Sequence, residues 1–267
     1  MINGFYVIDA HCHIYPEKIA SKAVAATDKF YGSTAYGEGT VNDLMSSYRE
    51  LGVDHAVVQS VATTPHQVKS INEFIAKEVE ASDGFLTGLG TLHPESDDIC
   101  GDIEYLMELG LKGVKLHPDI QGFKVDTDNL LKIYECCEKK GLSILMHTGD
   151  YRYDNSNPNR VLPILKAYPK LTVIGAHFGG WSIWEEACEK YSDLPNFYVD
   201  CSSSFEFSDE VDFKALVLRY GTDRVLFGTD YPMWSAEKEL KTFFAMNLHD
   251  EANRLILSEN AKRIFNI

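Results

Sequence analysis

The sequence predicts a single (β/α)8 barrel, and three observations predict it. Short apolar runs bounded by Gly, Pro or polar turns occur eight times in 267 residues. After the first interval they follow one another at about 25 to 31 residues, the length of one strand–helix unit. The runs are continuously apolar rather than alternating, the pattern of parallel strands covered on both faces. Eight such units in about 250 residues fit one closed barrel. A doubly wound open sheet is the alternative, but no G-x-G-x-x-G follows the first run. No linker or low-complexity stretch divides the chain, so residues 1–267 are expected to form one domain.

In order, the expected strands are Phe5–Ile14, His55–Val61, Phe85–Leu92, Gly113–His117, Ser143–His147, Leu171–His177, Phe197–Cys201 and Val225–Thr229. Between them, Val68, Ile71, Ile75 and Val79 keep helical spacing, as do Leu130, Ile133 and Cys137. Thr64-Pro65 and Asn157-Pro158 offer a cap followed by a first-turn proline; Thr40-x-x-Asp43 and Ser182-x-x-Glu185 have the look of capping boxes. Gly52, Gly110 and Gly141 fall where helices should stop. The first interval is too long. Its excess, residues 15–40, contains a helix-prone stretch and the glycine-rich Tyr31–Gly39, and as the first βα loop it is expected to lie over the barrel mouth as a lid or wall.

Composition narrows the function. The net charge of −15 argues against nucleic acid and anionic membrane as partners, since both need a basic face. The N-terminus lacks a signal-peptide pattern and no apolar stretch is long enough to span a bilayer, so a cytoplasmic protein is expected. The six cysteines show no C-x-x-C pair, and free thiols are the expectation.

The chemistry is read at strand ends. In Val7-Ile8-Asp9-Ala10-His11-Cys12-His13 two histidines stand one residue apart on a strand and so share a face. His147, His177 and Asp230 end later strands. His147 and His177 lie 30 residues apart, one unit; His177 and Asp230 lie 53 apart, two units. The set falls on strands one, five, six and eight, all at C-terminal ends, where a barrel assembles its active site. Imidazole nitrogens with a carboxylate and an open position are the donors of a catalytic zinc-type site.

These residues resemble the amidohydrolase superfamily, in particular its branch containing aminocarboxymuconate-semialdehyde decarboxylase and hydroxybenzoate decarboxylases. The resemblance rests on Asp9-Ala10-His11-Cys12-His13, Gly113-Val114-Lys115-Leu116-His117-Pro118, Met146-His147-Thr148-Gly149, Ala176-His177-Phe178-Gly179-Gly180, Gly228-Thr229-Asp230-Tyr231-Pro232 and the closing Glu259–Phe265 segment. It implies one divalent ion, expected to be zinc, on His11, His13, His147 and Asp230. His177 is then an acid/base or polarising residue, or the ligand of a second metal, the less favoured reading. Lys115 and His117 are candidates for substrate binding; Arg152 in the strand-five loop and Trp181 after the strand-six glycines are further candidates, with an ordinary structural role as the alternative for each.

Three functions follow. The first is hydrolysis of a small amide, ester or lactone by activated water, with Asp230 and His177 as the catalytic pair. The second is non-oxidative decarboxylation of a small unsaturated or aromatic acid at the same site. A remote third is a metal-free binding scaffold. The expected substrate is a small molecule, which an anion would satisfy, and relatives suggest a homodimer.

Overall fold

The structure, a computed structural model, describes residues 1–267. The elements run β1 (Ile8–His13), α1 (Ala20–Tyr31), α2 (Val41–Leu51), β2 (His55–Gln59), α3 (Val68–Ala81), β3 (Leu86–Gly88), β4 (Gly90–Thr91) and α4 (Ile99–Glu108). They continue through β5 (Gly113–Leu116), α5 (Pro118–Gln121), α6 (Asp128–Lys140), β6 (Ser143–Met146), α7 (Pro158–Ala167), β7 (Val173–Gly175) and α8 (Trp184–Tyr191). The chain closes with β8 (Phe197–Asp200), α9 (Phe213–Tyr220), β9 (Val225–Leu226), α10 (Ala236–Ala245), α11 (Asp250–Arg254) and α12 (Asn260–Phe265).

Every strand pairing is parallel, in the order β1-β2-β3 and β4-β5-β6-β7-β8-β9. β3 and β4 are one stave interrupted at Leu89, whose N–H donates to the Val58 carbonyl at 2.9 Å. The remaining seam lies between β9 and β1. There Ala10 N–H donates to Phe227 O and Asp230 N–H to His11 O, both at 2.9 Å, and Cys12 pairs in parallel with Tyr231. The staves thus make the (β/α)8 barrel that the periodicity predicts. The strands are shorter than expected: β2 stops at Gln59 rather than Val61, and Phe227–Thr229 lie beyond β9.

Most helix signals act as read, but Ser182-x-x-Glu185 is no capping box: Ser182 turns left-handed and accepts from the Tyr151 N–H, and α8 starts after Ile183 with no side-chain cap. Thr40 accepts from the Asp43 N–H, His117 and Asn157 cap helices that begin with proline, and Gly52 and Gly141 end α2 and α6 with left-handed backbones. The core has two shells. A 55-residue cluster fills the space between staves and helices, and a 10-residue cluster fills the barrel's lower interior with Ile8, Ala10, Val57, Leu89, Leu145, Ile174, Ala176 and Leu226, plugged by Ala261 and Phe265. The ionisable end of the barrel is therefore the opposite one.

A further expectation needs correcting. Cys100 on α4 and Cys136 on α6 are joined by a disulfide, leaving four free cysteines, all buried. The partner comes from the neighbouring helix, a proximity that spacing along the chain does not reveal. His11 and His13 share the face expected of them, but simple alternation does not by itself aim that face inward. Ile8 and Ala10 point inward, so a regular strand would send His11 and His13 outward. Between Asp9 and Cys12 the register against β2 slips by one residue, and this bulge turns both imidazoles into the mouth. No helix is long and apolar enough to cross a membrane.

Candidate metal centre and cavity

Positioning begins with the backbone. Gly228 passes so close to β1 that an added Cβ would stand 3.0 Å from the His11 Cβ. Two residues later Asp230 adopts a left-handed backbone (φ 63°), as do His177 (φ 58°) and Phe178 (φ 53°). Non-glycine residues take this conformation at a cost of order 1–3 kcal/mol when the surrounding structure fixes them. On β7 the consequence is direct: Ile174 and Ala176 face the barrel axis, yet the left-handed turn brings His177 inward and sends Phe178 to the outer core.

His11 Nε2 lies 3.2 Å from His13 Nε2, and Asp230 Oδ1 lies 3.3 Å from the first and 3.5 Å from the second. These three residues can hold a metal ion between them. The other edge of His11 is fixed: Nδ1–H donates to Asp200 Oδ2 at 2.9 Å, which leaves Nε2 as the lone-pair nitrogen. Ser202 Oγ sits 3.1 Å from His11 Nδ1 and 3.0 Å from His177 Nδ1, and itself donates to Asp200. His177 Nδ1–H has the Ser202 carbonyl at 3.0 Å, keeping its Nε2 free. Asp230 Oδ2 accepts from Ser203 Oγ at 2.6 Å, and Trp234 Nε1–H donates to that hydroxyl at 2.7 Å.

Lys115, on β5, is fully buried, and its Nζ lies 2.9 Å from His11 Nε2. Burial lowers the Lys115 pKa, the nearby carboxylates opposing the shift, and raises that of Asp230 against the pull of Lys115. Burial, aided by Lys115, also holds His11, His13 and His117 well below the ordinary histidine value. His177 is pushed down to about 4 by burial, with Asp200 opposing. The cluster thus holds neutral imidazoles, the form that binds metal.

His147 stands apart from this trio. It lies outside the cavity lining, its ring stacked on that of His117 (4.2 Å between centroids, planes 7° apart) and 5.0 Å from that of His177. Its Nε2 is 3.5 Å from Asp119 Oδ2, and neither of its nitrogens has a hydrogen-bond partner although the side chain is buried. Asp119, His147 and Asp150 form a second group able to hold a metal, and His11, His177 and Asp200 a third. A buried imidazole whose nitrogens find no partner in the protein fits the part of a metal ligand.

His11, His13, Lys115, His117, His177 and Asp230 line one end of a cavity of about 480 Å³. The insert of residues 15–40 supplies a wall of it through Ile19, Ala23, Ala26 and Phe30, and is tied down where Tyr31 Oη meets His117 Nε2 at 2.7 Å. Arg152 and Trp181 do not line the cavity. The Arg152 guanidinium is held by Asp150 (2.6 Å), donates to the Phe30 carbonyl, and lies 5.1–5.3 Å from the ring centroids of Phe30, Tyr31, Tyr153 and Trp181. It fastens the insert to the barrel instead of facing a ligand. Asp200, Ser202, Ser203 and Asp119 were not singled out from sequence. Asp200 had a readable signal, a carboxylate at the end of a strand like Asp230; the serines had none.

A family model described as Amidohydrolase matches residues 8–267. A curated 2-amino-3-carboxymuconate-6-semialdehyde decarboxylase from Dictyostelium discoideum is 24% identical over 239 residues, covering 69% of this chain and 65% of its own length. The match thus spans a little under two thirds of that relative. Among solved structures, an uncharacterised TIM-barrel protein from Bordetella bronchiseptica superposes with a TM-score of 0.80 at 20% identity, covering 98% of this chain and 99% of the other. A dihydroxybenzoic acid decarboxylase from Polaromonas sp. JS666, with bound manganese and the inhibitor 2-nitroresorcinol, gives a TM-score of 0.73 at 15% identity, covering 98% and 97%. At these identities the structural likenesses speak to the fold. The match over residues 8–267 goes further, and the chain belongs to the amidohydrolase family.

Proposed function

We propose that this chain, acting as one domain over residues 1–267, is a metal-dependent carboxy-lyase that removes carbon dioxide from a small carboxylic acid. The observation that carries this reading is the polarity of the cavity: its ionisable groups gather at one end and 11 of its 24 lining residues are hydrophobic. Loss of carbon dioxide disperses charge, and surroundings poor in water favour a step of that kind. Decarboxylase relatives support the same order of preference. From sequence alone hydrolysis stands first; the decarboxylase relatives, with the partly apolar lining, put the carboxy-lyase ahead.

His11, His13 and Asp230 are the residues that would hold a divalent ion, zinc or, as in the Polaromonas protein, manganese, and the family resemblance adds His147, which here stands apart from the three, as a fourth donor. When bound, it supplies Lewis acidity toward a substrate oxygen. Lys115 meets the negative charge of the substrate. As the bond to the carboxylate carbon breaks, its electron pair stays on the substrate carbon and takes up a proton. Asp230, beside the reacting centre, is the donor, and His177 hydrogen-bonds the substrate through its free nitrogen.

Hydrolysis of a carbonyl compound is the second reading. It is favoured by the Asp230 carboxylate standing between the two strand-one histidines, where it can accept the proton of an attacking water. Incubating metal-loaded protein with a mixed panel of aromatic and unsaturated acids, esters, lactones and amides, followed by mass spectrometry, separates the two. Loss of carbon dioxide supports the first reading, and gain of water overturns it in favour of the second.

A further inference from the structure

Part of the cavity lining is a gallery supplied by two helices. Ile19, Ala23, Ala26, Thr27 and Phe30 follow one face of α1 and its first turn, and Gln67, Ser70, Ile71 and Phe74 follow one face of α3. The spacing on both is that of a single helical stripe. Ala26 is exposed and Ala23, Phe30, Ile71 and Phe74 are half-buried, and each lines the cavity. Two alanines on the α1 side leave room where larger residues would close the gap.

The gallery residues carry no charge. Lys115 is the only lysine or arginine lining the cavity, and its Nζ is set against His11. The guanidinium of Arg152, in the loop after β6, is engaged by Asp150 and the aromatic rings around it. A second carboxylate in the gallery would meet the polar side chains of Thr27, Gln67 and Ser70 but no cation, and so would lack a charged partner to offset its desolvation.

We propose that the substrate is a monoacid or monocarbonyl compound carrying an apolar alkyl or aryl arm. Its reacting head lies at the Lys115 end and its arm lies between α1 and α3. This rests on the reading of the cavity as a substrate site, but its test needs no turnover.

Calorimetric titration of the purified, metal-loaded protein with straight-chain monocarboxylic acids from acetate to octanoate provides the test. The dissociation constant should fall about fourfold for each added methylene until the gallery is full, the value expected for a buried CH₂. Dicarboxylic acids of equal length should bind at least tenfold more weakly. Ala26→Phe, which fills the gallery, should cut the octanoate-to-acetate affinity ratio at least tenfold, whereas Ala25→Phe, outside the cavity lining, should leave that ratio unchanged. Affinity independent of chain length, equal binding of dicarboxylates, or equal effects of the two variants would each overturn the proposal. If the affinity slope is present while neither carbon dioxide loss nor water addition occurs, the catalytic reading falls and the arm site stands; catalysis with a flat slope leaves the catalytic reading standing and removes the arm site.

Discussion

Asp200 Oδ2 accepts a hydrogen bond from His11 Nδ1 at 2.9 Å, with both side chains fully buried. The carboxylate orients the imidazole and raises its basicity toward whatever its Nε2 binds. Asp200→Asn should therefore lower metal affinity by about 10- to 100-fold while leaving the ligand atoms in place. Competition with a fluorescent zinc chelator measures the change directly, and wild-type affinity in the variant would remove the assigned role.

The double variant His11→Ala, His13→Ala addresses the metal itself. It deletes two of the three converging donors, so elemental analysis after dialysis should find the wild type metal-loaded and the variant empty. Activity should disappear with the ion and fail to return on adding zinc or manganese. An equally metal-free wild type would instead favour the binding-scaffold reading.

Stability should depend on Glu239. This residue on α10 is buried, one carboxylate oxygen lacks a partner, and burial, reinforced by Asp9, Glu206 and Asp230, pushes its pKa up to about 8. The unfolded chain ionises near the ordinary glutamate value, so between there and about pH 8 the native state holds the extra proton. Its contribution is complete below the unfolded value and is lost as pH rises through the folded one. Glu239→Gln should accordingly lose less Tm than the wild type between pH 5 and pH 8, read by calorimetry; parallel curves would refute the assignment.

Arg152 gives a prediction about the insert. Arg152→Ala leaves Asp150 buried without its partner and removes the donor to the Phe30 carbonyl. Breaking a buried pair costs about 3–5 kcal/mol, and partial exposure of the guanidinium reduces this to about 2–3 kcal/mol here. Urea unfolding should show that loss, and hydrogen exchange should speed up first in α1. Arg152→Lys should restore only part of it, because an ammonium cannot reproduce the forked contact.

A milder loosening is expected from Tyr31→Phe, which deletes the hydrogen bond to His117 at a cost of about 1 kcal/mol. Exchange protection in α1 should fall with little change in Tm.

The periodic features of the sequence carry the fold, because continuous apolar runs and capped helices are local consequences of burial. The same logic locates His11, His13, His177 and Asp230 at one mouth, since each terminates a strand. What stays hidden depends on geometry between strands. The bulge after Asp9 is one such feature: simple alternation reaches a shared face for His11 and His13 but assigns it the wrong side relative to Ile8 and Ala10. The left-handed turn that brings His177 inward is another. Arg152 misleads because a loop cation near a mouth suggests an anion site, whereas the acid two residues before it and four surrounding aromatic rings claim it. The Cys100–Cys136 link needs the packing of α4 beside α6.

The insert of residues 15–40 gives the cavity one of its walls but none of its converging metal donors. Selectivity and reactivity are thus written in separate stretches of chain. Substitutions along α1 can retune which molecules enter without disturbing the groups that act on them, so descendants of this barrel can change diet while keeping the same chemistry.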